Sequence, residues 1–143
     1  RLFSAINEGE PKSTVKYILM NTVGNRNRDL PEKISFSEKC IIWLLRLLVP
    51  PHIDNEEAAD FLRTKIGQND NTIKWVVVRP SSLIDEEDVS EYKTHSSPTR
   101  SAIFNDGKVS RVNVAAFMNK LITDQNLWEK WKGQMPVIYN KEK

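Results

Sequence analysis

Two short polar segments of the chain carry hydroxyl groups and backbone donors that could bind a small ligand. One follows the apolar run of residues 15–20, and the other follows the apolar run of residues 73–79. The residues concerned are Thr22, Val23, Gly24, Pro80, Ser81, Ser82 and Leu83. Loops of this kind combine backbone N–H groups, hydroxyls and an apolar floor, which suits a flat ligand with polar substituents. Spacing alone leaves a second interpretation open, in which both segments are simply polar turns.

The two apolar runs that precede these segments are predicted strands of a parallel sheet. Residues 73–79 contain three consecutive valines between polar neighbours, a pattern typical of a strand that is covered on both faces. Residues 15–20 form a similar but shorter run. A helix between the two runs would complete a βαβ unit, which indicates an α/β fold. Because an open parallel sheet binds ligands beyond the carboxyl ends of its strands, we expect the two polar segments to share one site.

Capping residues predict where the first helices of this fold begin and end. Ser35 and Glu38 fit a capping box, and the apolar helix that follows should end at the two prolines after Val49. Asp54 is the predicted cap of a second helix, which Gly67 should end.

The C-terminal part of the chain continues the alternation of helix and strand. Ser110 is the predicted cap of a third helix, and residues 101–104 and 136–139 are predicted short strands. Trp128 and Trp131 could stack on a ligand, but a pair of aromatic residues near the end of the chain more often packs in the core.

Composition and charge narrow the classes of partner. The 143 residues include 21 Lys and Arg against 19 Asp and Glu, and the interleaved charges give no basic patch for nucleic acid or a membrane surface. The apolar stretch of residues 40–49 is interrupted by Arg46 and is too short to span a bilayer, which takes roughly 18 residues or more. Cys40, the single cysteine, cannot form an internal disulfide and is expected to be a buried thiol. These features favour a cytoplasmic protein and disfavour secretion and membrane insertion.

Two common ligand motifs are missing from the sequence. The five glycines form neither G-x-G-x-x-G nor G-x-x-x-x-G-K-[ST], so a dinucleotide would need a phosphate-binding loop upstream of Arg1. His52 and His95 lack neighbouring ligands at metal-binding spacing, and no metal site is predicted. The acidic residues 85–88 lack the alternation of a calcium loop and are interpreted as a solvated turn. The chain starts at Arg1 within a helix-like segment, and we expect further sequence to precede it.

Four segments together resemble a known enzyme family. They are the strand and loop K-Y-I-L-M-N-T-V-G at residues 16–24, P-P-H at 50–52, W-V-V-V-R-P at 75–80 and V-S-R-V-N-V-A at 109–115. The combination resembles the atypical short-chain dehydrogenase/reductases, in particular their NAD(P)H-binding, NmrA-like branch, which includes the flavin reductase that reduces biliverdin. The resemblance covers nearly the whole chain but corresponds only to the C-terminal half of that fold.

The resemblance implies a Rossmann-like, doubly wound parallel sheet, with residues 1–143 as the C-terminal part of one larger NAD(P)-binding domain. Its cofactor would be NADP or NAD, and its glycine-rich loop would lie in the missing N-terminal segment. Thr22 stands where the family has a hydroxyl beside the nicotinamide, which makes it the candidate catalytic residue, and residues 80–83 would form the loop that closes over that ring.

The substrate side of the resemblance differs from typical members. Ser110 and Arg111 match the S-R pair that opens the late helix, but Asn113 replaces the usual aspartate. The Y-x-x-x-K pair of typical members is absent from the predicted helix of residues 54–66, which has no tyrosine, and His52 is a candidate substitute. His52 and Arg111 are therefore the predicted substrate-binding residues. A member without the tyrosine could still transfer hydride by positioning alone, with the proton taken from solvent.

Three functions follow from this reading. The first is an NAD(P)H-dependent reductase of a flavin, a quinone or a similar conjugated acceptor, whose substrate would be set by the loop of residues 85–106. The second is a non-catalytic, NAD(P)-sensing regulatory protein of the same fold, favoured by the missing tyrosine and lysine. The third is a protein-interaction module in which the helix of residues 40–49 docks on a partner.

Overall fold

The computed structural model describes residues 2–9, 11–32, 35–48 and 50–142, and for residues 2, 7, 45–48 and 50–53 it describes the backbone alone. The elements in chain order are α1 (Leu2–Glu8), β1 (Val15–Met20), α2 (Phe36–Leu48), α3 (Pro50–Phe61), β2 (Ile73–Pro80), β3 (Ser82–Ile84), β4 (Tyr92–His95), β5 (Lys108–Ser110), α4 (Arg111–Thr123), α5 (Gln125–Trp131) and β6 (Val137–Asn140). A π-helical turn (Leu62–Ile66) extends α3 and ends at Gly67, whose φ of 67° is in the left-handed region.

A mostly parallel sheet forms the centre of the fold. Its strand order is β1-β2-β6-β4, with β1 and β2 parallel from the pair Val15 and Ile73 to the pair Met20 and Val78. Strand β6 is parallel to β2, whereas β4 is antiparallel to β6. Strands β3 and β5 form a separate parallel pair. The predicted strands at residues 15–20, 73–79 and 136–139 and the βαβ unit are therefore confirmed.

Helices cover both faces of the sheet, as a doubly wound fold requires. Val76 and Val78 of β2 pack in one cluster with residues of α4 and α5, whereas Trp75 and Val77 pack in a second cluster with residues of α3. Successive side chains of a strand point to opposite faces, which explains this division. Trp128 and Trp131 of α5 belong to the first cluster, so their predicted core role is confirmed.

The predicted helix caps are confirmed at two positions and wrong at a third. The Glu38 backbone N–H donates to the Ser35 hydroxyl at 3.2 Å, and the Ser35 N–H donates to the Glu38 carboxylate at 2.9 Å, which completes the capping box. Ser110 caps α4 by accepting from the Asn113 N–H at 3.2 Å. Asp54 is not a cap, because α3 already begins at Pro50. Proline suits the first turn of a helix, where its missing donor is not needed.

The long segment between β2 and α4 differs from its prediction. Residues 101–104 form a turn instead of a strand, because the Ser101 hydroxyl accepts from the N–H groups of Ile103 at 3.3 Å and Phe104 at 3.0 Å. Strand β4, which the sequence did not predict, lies earlier in the same segment and pairs with β6.

Helix α2 exposes part of its apolar surface. Phe36, Trp43 and Leu44 are 82%, 64% and 47% exposed, and Cys40 is exposed as well, so the prediction of a buried thiol is wrong. These four residues follow helical spacing and share one side of α2, and no described element covers that side. None of the helices in the described ranges is long and apolar enough to cross a bilayer.

Candidate functional site

The loop after β1 runs along the carboxyl end of β2. The Asn21 N–H donates to the Val78 carbonyl at 2.8 Å, and the Val23 N–H donates to the Pro80 carbonyl at 2.9 Å. This extended pairing places residues 22–24 beside residues 81 and 82. The two polar segments therefore lie together at one edge of the sheet.

Side-chain amides fix the position of this loop. The amides of Asn21 and Asn25 both donate to the Asn55 carbonyl, at 2.8 and 3.3 Å, and so tie the loop to α3. The Asn21 side-chain oxygen also accepts from the Thr22 N–H at 2.8 Å. Thr22 is therefore held by its own backbone, while its hydroxyl accepts a long bond of 3.4 Å from the Gly24 N–H. Among the described residues the Thr22 hydroxyl has no acceptor, so its hydrogen can be donated to a ligand.

A cleft of about 240 Å³ opens above these two segments. It is lined by Thr22, Val23, Gly24, Ile42, Ser81, Ser82, Ala102, Ile103 and Asp106. We refer to it as the strand-end cleft. Its volume is smaller than that of typical drug-sized sites, so it fits one ring with a polar substituent better than an entire dinucleotide.

Ser81 is the buried polar residue of the strand-end cleft. It is 5% exposed, and its hydroxyl has no hydrogen-bond partner among the described residues. A buried hydroxyl without a partner costs stability, and such groups in folded proteins call for an explanation. The oxygen itself is shielded from solvent, so a polar ligand atom in the cleft would become its partner once the Ser81 side chain rotates toward the cleft.

A second and larger cleft of about 450 Å³ adjoins the first. It lies between the loop of residues 100–108 and the end of β6, and we refer to it as the loop cleft. Asp106 lines both clefts, and the hydroxyl of Ser82 donates to its carboxylate. Tyr139 forms part of its inner wall, and burial raises the pKa of this phenol although Thr99, Arg79 and Arg100 partly oppose the shift.

A buried ion pair lies at the carboxyl end of β2 and fixes the loops around the clefts. Arg79 is 0% exposed, and its guanidinium donates to the Glu32 carboxylate at 2.8 Å. It also donates to the carbonyls of Met135 at 2.8 Å, Asn25 at 2.9 Å and Ser96 at 3.2 Å. One side chain therefore connects the loop after β1, the loop after β4 and the segment before β6.

Helix α2 is attached to the same loops through Glu38. Besides closing the capping box, its carboxylate accepts from the Ser101 hydroxyl. The Ser101 hydroxyl and the Ser35 backbone N–H together hold the pKa of Glu38 below its ordinary value, against a smaller opposing effect of burial. This contact connects α2 with residues 101–104, which contribute Ala102 and Ile103 to the strand-end cleft.

The structure brings together five of the seven residues predicted to bind a cofactor. Thr22, Val23, Gly24, Ser81 and Ser82 line the strand-end cleft. Pro80 contributes its carbonyl to the loop after β1, and Leu83 pairs with Val109 in the small β3–β5 sheet and is 38% exposed.

The two predicted substrate-binding residues lie elsewhere. The guanidinium of Arg111 pairs with Asp85 at 2.6 Å, its side chain is 58% exposed, and it lines neither cleft. His52 lies in the first turn of α3, and its side chain is outside the described part of the structure. Their role in substrate binding stays a prediction.

Four cleft residues were not singled out from the sequence. Ala102, Ile103 and Asp106 belong to the loop of residues 85–106 that was predicted to set the substrate, so their region, but not their identity, was anticipated. Ile42 gave no signal, because it is one apolar residue among many in α2 and only the packing of that helix brings it to the cleft.

Comparisons with known proteins show similarity in structure but not in sequence. No protein-family model matches the chain, and no curated protein matches it in sequence. Solved structures do match. An oxidoreductase from Lactococcus lactis has a TM-score of 0.60 at 15% identity, over 99% of this chain and 52% of that protein.

Two further structures carry more specific names. A short-chain dehydrogenase/reductase from Veillonella parvula, solved in complex with NADP, has a TM-score of 0.59 at 16% identity, over 97% of this chain and 55% of that protein. The anaerobillin reductase ChuY from Escherichia coli has a TM-score of 0.60 at 18% identity, over 96% of this chain and 56% of that protein.

These similarities define the class of fold. The chain has the mixed α/β fold, with a mostly parallel sheet, of Rossmann-like NAD(P)-dependent reductases and epimerase-like proteins. It spans about half the length of the solved structures that it matches. The fold class inferred from the sequence is thus confirmed, and the solved structures that match are reductases and epimerase-like proteins of that fold.

Proposed function

We propose that this chain supplies the nicotinamide-side wall and the acceptor pocket of an NAD(P)H-dependent reductase that transfers hydride to a flavin, a quinone or a similar conjugated acceptor. The observation that carries the proposal is the unpartnered, buried hydroxyl of Ser81 in a cleft at the carboxyl ends of two parallel strands. Ligands of open parallel sheets bind at this end of the strands.

The cleft residues suggest how a nicotinamide would be held. When bound, the reduced cofactor supplies the hydride. The hydroxyls of Thr22 and Ser81 would hydrogen-bond the carboxamide and fix the plane of the ring, which makes Thr22 the catalytic residue through orientation. The apolar side chains of Val23, Ile42 and Ile103 would keep water from the reacting face.

The proposal also accounts for the source of the proton that the acceptor takes up after hydride transfer. The described lining of the strand-end cleft contains no tyrosine, lysine or histidine that could serve as the acid. Conjugated acceptors such as flavins and quinones accept hydride first and can take the proton from solvent afterwards, because their reduced anions are delocalised. This is the reason for preferring such acceptors to simple ketones.

The remainder of the cofactor requires a part of the protein outside this sequence. The sequence lacks a glycine-rich phosphate motif, and the strand-end cleft is small. We therefore place the pyrophosphate-binding loop in an N-terminal segment that adds parallel strands beside β1, whose only described partner strand is β2. A reductase of this type would act in the cytoplasm, where its reduced cofactor is supplied.

Titration of the protein, expressed from its complete natural gene, with NADPH and NADH tests the proposal. We expect one of the two nucleotides to bind and to be oxidised when a flavin or quinone is added. The variants Thr22→Val and Ser81→Ala should each weaken nucleotide binding about tenfold, because each removes one hydrogen bond to the ligand. Ser13→Ala, an exposed serine before β1, is the matched control and should bind as the parent does.

Two results would contradict the proposal. One is that neither NADPH nor NADH binds. The other is binding that neither cleft variant weakens more than the Ser13 variant does, since the nucleotide would then occupy another site.

A non-catalytic nucleotide sensor is the second candidate function. The absence of tyrosine, lysine and histidine from the described cleft lining favours it, as does the absence of a tyrosine from the segment of residues 54–66. The same titration separates the two functions, because a sensor would bind the nucleotide but would not oxidise it with any acceptor of the panel.

The interaction-module hypothesis rests on a different surface. Phe36, Cys40, Trp43 and Leu44 expose an apolar side of α2. If that surface were the functional one, substitution of Trp43 by glutamate would abolish activity in the cell while nucleotide binding stayed unchanged.

A further inference from the structure

The loop cleft has the position expected of an acceptor pocket. Asp106 lines both the loop cleft and the strand-end cleft, so a planar acceptor in the loop cleft would lie next to a ring held by Thr22 and Ser81. The volume of about 450 Å³ is within the range of small-ligand sites. Phe104, which is 62% exposed, offers an aromatic face along its wall.

Gly107 allows two side chains of this cleft to come together. Its φ of 71° is in the left-handed region, and a Cβ at this position would lie 2.9 Å from Cδ1 of Tyr139. The same Cβ would lie 3.5 Å from Cδ of Arg100. The absence of a side chain therefore lets the Tyr139 ring and the Arg100 stem pack against the same piece of backbone.

The charged residues that line the loop cleft are Arg100, Lys108 and Lys141 against Asp106 and Glu142, which leaves one positive charge in excess. Within the described ranges no carboxylate pairs with the Lys108 ammonium group. The guanidinium of Arg100 pairs with the Glu142 carboxylate at 2.6 Å, and the two side chains are 30% and 72% exposed. An ion pair with so exposed a carboxylate contributes little stability, so a ligand anion with better geometry can replace Glu142 on the arginine.

We propose that the loop cleft binds the anionic arm, a carboxylate or a phosphate, of the conjugated acceptor, with Arg100 and Lys108 as its recognition residues and Glu142 as an internal competitor. This inference rests on the proposed reductase function, which identifies the ligand as a conjugated acceptor. It adds that the protein selects an acceptor for its charge as well as for its ring system. Neutral quinones without such an arm would therefore be the poorer substrates.

Paired flavins test the inference without any nucleotide. Calorimetric titration of the protein from its complete gene would compare FMN with riboflavin, which has the same ring but no phosphate. A flavin with a carboxymethyl arm would be compared in parallel with lumiflavin, so that the two pairs distinguish phosphate from carboxylate. We expect the anionic member of at least one pair to bind about tenfold more tightly, with a preference that falls as salt is raised.

Charge variants assign the preference to this cleft. Arg100→Gln and Lys108→Gln should each reduce the preference for the anionic flavin severalfold without changing the affinity for the neutral one. Glu142→Gln should raise the affinity for the anionic flavin, because the competing carboxylate is removed. Lys132→Gln, which breaks the surface ion pair with Glu129, is the matched control and should change nothing. Circular dichroism would confirm that each variant is folded.

Several results would overturn the inference. The first is equal affinity for the neutral and the anionic flavin of both pairs, and the second is that no flavin binds at all. The third is that Arg100→Gln and Lys108→Gln lower the affinity for the neutral flavin as much as the affinity for the anionic one. None of these results depends on NADPH or NADH. Failure here therefore differs from failure of the proposed function, which is measured by nucleotide binding and by the Ser81 variant.

Discussion

Replacing Glu32 by glutamine should destabilise the protein by several kcal/mol, because it leaves the Arg79 guanidinium buried without a counter-charge. The pair is separated by 2.8 Å, and its side chains are 0% and 3% exposed. Glutamine keeps the shape of the side chain and removes its charge. The two carboxylate oxygens now accept separately, one from Arg79 and one from the Asn27 N–H at 3.0 Å, so the single carbonyl oxygen of glutamine can keep only one of these bonds. The change therefore removes the charge together with one hydrogen bond.

The expected size follows from burial. Removing one partner of a buried ion pair typically costs about 3 to 5 kcal/mol, since the remaining charge loses its compensation in a medium of low dielectric constant. The carbonyls of Asn25, Ser96 and Met135 still solvate the guanidinium partly, which favours the lower end, about 3 kcal/mol. Single domains have about 5 to 15 kcal/mol of stability in total, so the loss should be large but measurable.

Urea unfolding followed by tryptophan fluorescence measures this loss. The control is Arg111→Gln, which breaks the ion pair with Asp85 whose side chains are 58% and 88% exposed, and it should cost less than about 1 kcal/mol. The double variant Glu32→Gln with Arg79→Met should be more stable than the sum of the two single losses predicts, because the uncompensated charge is gone. A Glu32→Gln loss no larger than that of the control would refute the reasoning.

Three further predictions concern Ser81, Glu38 and Gly107. Ser81→Ala should leave the ligand-free protein as stable as before or up to about 1 kcal/mol more stable, measured by urea midpoints, because the lost hydroxyl has no described partner. Gly107→Ala should cost about 1 to 3 kcal/mol on the same scale, because an alanine there is strained at φ 71° and meets the Tyr139 ring at 2.9 Å. The pKa of Glu38 is lowered in the folded protein, chiefly by Ser101, so the unfolded chain takes up the proton first and stability falls as pH drops below the ordinary glutamate range. Glu38→Gln should remove that part of the acid dependence in unfolding curves taken from about pH 6 to about pH 3; an unchanged slope would mean that the Glu38 contacts contribute nothing.

The parts of the fold that the sequence predicts are those in which local pattern and tertiary environment agree. The valines of β2 predicted a strand covered on both faces, and helices pack on both of its faces. The Ser35–Glu38 spacing predicted a cap that consists of bonds within four residues. Position at the carboxyl ends of parallel strands was enough to bring residues 22–24 together with Ser81 and Ser82.

The parts that the sequence does not predict depend on contacts between distant segments. Arg79 and Glu32 are 47 residues apart, and neither residue type by itself indicates a buried ion pair. Strand β4 has a polar sequence and is defined by its pairing with β6, which residues 92–95 do not encode alone. Cys40 was predicted to be buried because its neighbours are apolar, yet the side of α2 that carries it has no described covering element.

The contrast between Arg79 and Ser81 connects stability with the site. Arg79 and Ser81 lie two residues apart at the end of β2, and both are buried. The Arg79 guanidinium has four hydrogen bonds, whereas the Ser81 hydroxyl has no described partner. The Arg79 side chain fixes the loops after β1 and β4, and Ser81, whose hydroxyl has no described partner, lines the cleft beside the first of these loops. Preorganisation requires this division, because a ligand gains most from a polar group that the protein itself holds in place and does not satisfy. A variant that loosens Arg79 should therefore weaken nucleotide binding through the position of Thr22, even though Arg79 is not among the residues that line the cleft.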